Sequence, residues 1–177
     1  MSYFWRYTSE LGLITMTSDG TALTGLWLEG QKGMDDFSCG KYMEKELPIF
    51  QETCHWLDRY FQGRDPGPIP LVSMEGTSFR KLVWQILQTI PYGKTVTYGQ
   101  IAAQVATIQG KAKMSAQAVG GAVGHNPISI IVPCHRVIGT DGSFTGYAGG
   151  LDKKVKLLRL EGVEVSCQWE ASSENDI

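Results

Sequence analysis

The sequence predicts an α/β protein in two parts: a small antiparallel sheet with one helix, then a mainly helical half that carries a cysteine beside a histidine. Three observations predict it. Short β-favouring runs split by turn residues fill the first 30 positions. A stretch dense in Pro and Gly, Gly63 to Pro70, cannot continue a helix and reads as a linker. Beyond it, apolar residues recur at helical spacing behind capping residues. The chain has 177 residues, 42 % hydrophobic and 19 % charged, the proportions of a globular protein able to bury a full core.

The elements follow in order. Tyr3 to Thr8, Gly12 to Thr17 and Ala22 to Leu28 read as strands of an antiparallel meander, with Ser18-Asp19-Gly20 as a turn. Residues 31 to 46 are polar and read as a loop. Pro48 to Phe61 reads as a helix with Ile49, Phe50, Cys54, Leu57 and Phe61 on one stripe, Pro48 in its first turn and Gly63 past its end. The boundaries expected are a first domain over 1–76, a second over 77–166 and an acidic tail over 167–177.

In the second domain, Ser78 is placed to cap a helix whose apolar face is Phe79, Leu82, Val83, Ile86 and Leu87. Thr97-Tyr98-Gly99-Gln100 has the form of a capping box ahead of Ile101 to Val105. Ser115 to Gly124 forms a second short helix, and the pair resembles a helix-turn-helix. That second helix is rich in Gly and Ala, although Gly costs about 1 kcal/mol against Ala within a helix. Two readings stay open: tight packing on a neighbouring helix, or close approach to a narrow groove. Ile128 to Val132 is a β-branched run that reads as a stiff strand stopped by Pro133. After Cys134 to Ile138 come a turn, a Gly-rich loop over Ser143 to Gly150, and a last helix from Leu151 to Leu160 with Leu151, Val155 and Leu158 on its apolar side.

Charge divides the chain. Residues 1–76 hold 6 Lys+Arg and 11 Asp+Glu, a net of −5, whereas residues 77–166 hold 10 and 4, a net of +6. A basic half points to a polyanion such as nucleic acid. The cysteines, Cys39, Cys54, Cys134 and Cys167, form no C-x-x-C pair and match no metal spacing, so reduced thiols and a cytoplasmic location are expected. Neither a signal peptide nor a membrane span is evident, and a monomer is expected.

Cys134 is the candidate nucleophile. A thiol reacts as thiolate, and its free pKa of about 8.5 calls for a neighbouring base. His135 is adjacent and could act through a bridging water. Glu161, at the end of the last helix, is the candidate carboxylate for the far imidazole nitrogen.

Pro133-Cys134-His135-Arg136-Val137 resembles the active-site signature of the O6-methylguanine-DNA methyltransferase family. Tyr92 to Ala102 resembles the family's first DNA-binding helix, and Ala118 to Ala122 with Asn126-Pro127 its recognition helix and following Asn. Tyr147-Ala148-Gly149-Gly150 and Leu158 to Gly162 resemble its substrate loop and closing helix. The resemblance spans roughly Thr77 to Val165; in the first half it is limited to the strand pattern and Leu23-Thr24-Gly25-Leu26.

The resemblance implies a ribonuclease H-like first domain and DNA repair by direct reversal. The alkyl group of O6-alkylguanine in duplex DNA would pass irreversibly to Cys134, once per molecule and with no cofactor or metal. It leaves open whether O4-alkylthymine is accepted. Under it His135 deprotonates Cys134 through water, Glu161 orients His135, and Asn126 braces the active-site turn. Tyr98 acts at the phosphate, helps rotate the nucleotide and donates a proton to the leaving base. Tyr147, Ala148 and Gly149 line the base pocket, and the backbones of Cys134 and Val137 read the exocyclic amine. Thr97, Ser115, Ala118, Gly121 and Arg136 contact DNA. At position 117, where the family usually has Arg in the gap left by the flipped base, stands Gln117. Lys111 and Lys113, in a long preceding loop, would supply charge to phosphates. Ala148 stands where some members carry a hydroxyl.

Three other readings are weaker. A non-catalytic sensor of alkylated DNA would lack Cys134. A transcription factor would carry polar readers on its second helix. A Cys-His hydrolase would need an oxyanion hole, and none is evident.

Overall fold

The computed structural model describes residues 1–165, so the expected acidic tail and Cys167 lie outside the described residues. The first half holds a four-stranded sheet in the order β3-β2-β1-β4, made of β1 (Ser2–Ser9), β2 (Gly12–Ser18), β3 (Leu23–Leu28) and β4 (Tyr42–Glu44). The first three are antiparallel, as the alternating runs predict. β4 pairs parallel to β1, so the sheet is mixed, and residues 31–46 are not all loop. Three residues are too few to show a period, which is why β4 left no mark in the sequence. The β2–β3 turn is held by Asp19, whose carboxylate accepts from the amides of Thr21 and Ala22 at 2.8 and 2.9 Å.

Helix α1 (Pro48–Phe61) starts on Pro48 and buries Ile49, Phe50, Thr53, Trp56, Leu57 and Tyr60. Its buried stripe is therefore turned slightly from the expected one, leaving Cys54 and Phe61 half-buried. Helix α2 (Ser78–Leu87) is capped by Thr77, not Ser78: the Thr77 hydroxyl accepts from the Arg80 amide at 3.2 Å. Strand β5 (Val96–Thr97) leads into α3 (Tyr98–Gln109), where Thr97 and Gln100 form both hydrogen bonds of the capping box and Gly110 closes the helix in the left-handed region. Helix α4 (Ala116–Gly124) is capped by Ser115, which accepts from the Ala118 amide at 3.2 Å. Strand β6 (Val137–Ile138) pairs parallel with β5, and α5 (Leu151–Leu160) follows.

Ile128 to Val132 is not a strand. Leu26 donates to the Pro127 carbonyl and accepts from the Ser129 amide, a single bridge on the open edge of β3, and the chain then turns. At Ile130 it takes a φ of 68° while fully buried. A β-branched residue in that region is strained by about 1–2 kcal/mol, so the surroundings must enforce it. Asn126 does so. Its amide donates to the Val132 and Ile128 carbonyls at 2.8 and 3.4 Å, while its oxygen accepts from the Ile128 amide at 3.0 Å. β-Branching and apolarity describe a buried turn here as well as they describe a strand.

One apolar core runs through both halves, from Ile14, Leu26 and Phe50 to Trp84, Ile101 and Val132. Trp84 joins α2 to α4, its indole N–H donating to the Ala122 carbonyl at 2.9 Å out of reach of water. Trp84→Phe is expected to lower stability by about 2 kcal/mol through the lost hydrogen bond and the smaller ring. Urea unfolding measures this, and an unchanged midpoint would mean the link is not structural.

Candidate active site and DNA-facing surface

Cys134 opens a 3-10 turn, Cys134–Arg136, directly after Pro133. Its amide donates to the Val132 carbonyl at 2.8 Å, which ties it to the turn that Asn126 braces. The side chain is 6 % exposed and lies in the wall of a cavity of about 410 Å³. Burial pushes the thiol pKa up, and the Asn126 side chain and the Lys154 ammonium pull it partly back. At rest the sulfur keeps its proton, so chemistry requires a base.

His135 points away from solvent. Its Nε2 meets the Glu161 carboxylate at 2.8 Å and the Tyr60 hydroxyl at 3.4 Å, while Nδ1 has no hydrogen-bond partner. A carboxylate cannot donate, so Nε2 carries the proton and Nδ1 holds a free lone pair. Burial lowers the His135 pKa and Glu161 opposes it in part, leaving a neutral imidazole. Burial alone would raise the Glu161 carboxyl, but hydrogen bonds and charges from His135 and Arg136 outweigh it and hold it low.

Arg136 is not on the surface, where a DNA contact was expected. It is 7 % exposed. Its Nε donates to Glu161 at 2.8 Å, its second terminal nitrogen makes a further bond to the same carboxylate, and the other terminal nitrogen reaches the Ile90 carbonyl at 2.7 Å. A buried carboxylate needs a compensating charge, and Arg136 provides it.

The cavity gathers Cys134, Tyr98, Asn126, Tyr147 and Ala148, with Gly120, Val123 and Gly124 of α4 and His125 just past its end along one side. Tyr98, at the start of α3, donates to the Thr145 carbonyl at 3.3 Å, and its hydroxyl pKa is raised by burial and then by Cys134. Two expected pocket residues lie outside the wall. Val137 is fully buried and its carbonyl is taken up by Lys154 at 2.5 Å. Gly149 packs on the first half instead: a Cβ there would come within 2.8 Å of Leu28.

Lys154 was missed because a lysine in the charged run Asp152-Lys153-Lys154-Val155-Lys156 reads as a solvated position. It is fully buried, and its ammonium also donates to the Thr145 and Gly146 carbonyls at 3.1 and 3.4 Å. It thereby ties the Gly-rich loop to β6. Ser129, Lys32 and Gly33 also line the cavity, and no motif in the sequence marked them.

The outer surface of α4 is bare. Ser115, Gln117, Ala118 and Gly121 are exposed, as are Lys111 and Lys113 in the preceding loop, while Thr97 is half-buried. A Cβ at Gly121 or Gly124 would meet nothing within 4 Å. Internal packing therefore does not account for these glycines, although each costs the helix about 1 kcal/mol. Of the two readings of this helix, approach of an outside partner is the one that remains.

Fold and site together define a helix-turn-helix protein with a cysteine nucleophile set in a cavity beside the second helix. The family described as 6-O-methylguanine DNA methyltransferase, DNA binding domain, matches residues 78–163, and its ribonuclease-like domain matches residues 3–69. The chain belongs to this family. It is 40 % identical over 163 residues to the methylated-DNA–protein-cysteine methyltransferase of Haemophilus influenzae, covering 91 % of this chain and 87 % of that one. To the protein of the same name from Methanosarcina acetivorans it is 42 % identical over 161 residues, covering 90 % and 98 %. The crystal structure of Mycobacterium tuberculosis OGT in complex with DNA superposes with a TM-score of 0.76 at 38 % identity, covering 90 % of this chain and 92 % of that one. Among the described residues no His/Cys/Asp/Glu group is arranged to hold a metal, and no helix is long and apolar enough to cross a membrane.

Lys154 gives a pH signature. Burial pushes its pKa from 10.5 down to about 8. Between those values the unfolded chain binds the extra proton, so this group makes stability rise with pH from about 8 to 10.5, by roughly 3 kcal/mol. Tyrosines and thiols also titrate there. The quantity to measure is therefore the difference in unfolding free energy between wild type and Lys154→Met across that window. A difference independent of pH would show that Lys154 is not held charged at neutral pH against its burial.

Proposed function

We propose that this protein repairs alkylated DNA by moving the alkyl group of O6-alkylguanine onto Cys134, once per molecule. The observation that carries this is the placement of a buried thiol in a cavity walled by the glycine-rich helix, with a neutral imidazole, oriented by Glu161, next to it in the chain. In a duplex the modified oxygen is stacked inside, where a buried sulfur cannot reach it. The nucleotide must rotate out, at a cost of a few kcal/mol. Bare α4 suits the minor groove, with Gln117 filling the gap and Lys111 and Lys113 at phosphates. The cavity lies in the range of about 300–1,000 Å³ typical of small-ligand sites.

The free lone pair on His135 Nδ1 takes the thiol proton through a water. Glu161 steadies the resulting imidazolium, and Lys154 favours the thiolate. Sulfur attacks the alkyl carbon, the S–C bond forms, the bond to O6 breaks, and its electron pair stays on guanine. A proton from Tyr98 neutralises the departing base. Among the described residues no group is placed to cleave a thioether at Cys134, so the protein is consumed. Crowding at a site this buried would loosen the alkylated form. The same transfer would act on a methyl at thymine O4, and a cytoplasmic monomer fits the reduced thiols.

Intact-mass measurement after incubation with a duplex carrying O6-methylguanine tests this. Expected are one added methyl, located on Cys134, and restored guanine in equal amount. Cys134→Ala should end transfer while DNA binding persists. Unchanged mass of the wild-type protein would contradict the proposal.

A further inference from the structure

Both halves of the chain build the rim of the cavity beside Cys134. One lip is α4, with Gly120 and Gly124 in the lining and Gln117 exposed on the same helix. The other lip comes from the turn after β3. Gln31 is 6 % exposed, and its side-chain oxygen accepts from the Leu28 amide and the Ser129 hydroxyl, each at 3.1 Å. Its backbone amide donates to the Leu28 carbonyl at 3.0 Å, and Lys153 of α5 holds the Glu29 carbonyl in the same turn. These bonds fix the backbone from which Lys32 and Gly33 follow. Both residues are exposed and both line the cavity, so they stand at its rim and not in its depth. Lys32 is the one lysine or arginine of the lining. Its half of the chain carries a net of −5, yet among the described residues the Lys32 ammonium has no ion pair or hydrogen bond.

We propose that Lys32 binds a phosphate of the extruded nucleotide, so that the first half of the chain takes a direct part in holding damaged DNA. The inference rests on the alkyl-transfer reading above. A base whose alkyl carbon meets the Cys134 sulfur lies inside the cavity, and its sugar and two flanking phosphates stay at the rim. On that reading Tyr98 acts at one of these phosphates, and Tyr98 lines the cavity together with Lys32. Lys32 meets the other. An ammonium on a flexible stem suits a phosphate oxygen and is indifferent to which base it carries. Gly33 beside it has a φ of 82°, and a Cβ there would meet nothing within 4 Å, which leaves the rim open to a DNA backbone. Gln117 brings no charge to the α4 lip, so the charge at the rim comes from the opposite side. In an intact duplex the phosphates follow the groove along α4 and do not cross the cavity. Lys32 therefore favours the extruded nucleotide over the stacked one, whereas Lys111 and Lys113 serve any duplex.

Cys134→Ala protein, which cannot transfer, allows the contact to be measured by binding. The affinities to compare are for a duplex carrying O6-methylguanine and for the same duplex unmodified, across a range of salt concentrations. Adding Lys32→Gln should weaken binding to the damaged duplex severalfold and flatten its slope of log affinity against log salt by about one, the signature of one lost phosphate contact. The unmodified duplex should bind almost as before. Lys32→Arg should keep the wild-type slope, and Lys32→Glu should weaken binding further. Lys45→Gln, which removes the same charge outside the cavity lining, should change neither duplex. An unmoved slope in Lys32→Gln, an equal loss on both duplexes, or an equal loss in Lys45→Gln overturns the contact. Methyl transfer by the protein with Cys134 intact is followed in parallel. If it proceeds, those outcomes remove the Lys32 contact alone; if it does not, the underlying reading falls with it.

Discussion

A carboxylate buried between an imidazole and a guanidinium organises the reactive end of this protein. Glu161 has no exposed side-chain surface, and its oxygens are shared between His135 and Arg136. Taking such charges out of water costs several kcal/mol per ion, and removing one partner from a buried pair costs about 3–5 kcal/mol. The cluster therefore holds its geometry or is not formed at all. Its anchors come from distant parts of the chain. The Tyr92 hydroxyl donates to the Leu160 carbonyl at 3.3 Å and fixes the end of α5. Arg136 reaches back to Ile90, and Tyr60 of α1 presents its ring edge-on to His135 with centroids 6.4 Å apart. What results is an imidazole with one nitrogen committed to Glu161 and the other left bare.

The first half of the chain is tied to this site through the backbone. The outer edge of β3 accepts two visitors: the linker at Leu71 to Ser73 and the segment Pro127 to Ser129 that leads to Cys134. An open strand edge is a hazard in most proteins, and here both ends of the gap are closed by the protein's own chain. The sheet thereby fixes the entry to the strained turn at Ile130, and Asn126 fixes its exit. Cys134 follows within four residues, so its position is set by a sheet edge, a side-chain brace and a buried ion cluster together.

Local signals were legible in the sequence and long-range ones were not. The capping box at Thr97, the Pro48 start of α1 and Gly63 past its end depend on neighbours a few residues away, and each is where the pattern places it. Cys134 and His135 could be nominated because their residue types are scarce and their chemistry is specific, and Glu161 because it stands at the end of the last helix. Arg136 and Lys154 were misread for one shared reason. A cation in a sequence looks solvated until the fold supplies a carboxylate or a set of carbonyls, and Glu161 lies 25 residues from Arg136. Ser129 and Lys32 escaped notice because the wall they form exists only once residues 98 positions apart meet, as Gln31 and Ser129 do. The turn at Ile128 to Val132 was hidden differently: its residues announce burial, and burial does not distinguish strand from turn.

The state of one imidazole tests the account most directly. Nitrogen-15 NMR of the labelled protein near neutral pH reads the protonation of each ring nitrogen of His135. The geometry requires a neutral ring with its proton on Nε2, toward Glu161, and a bare Nδ1. A proton on Nδ1, or a doubly protonated ring in the resting protein, would contradict it, because no base would then be available for the sulfur.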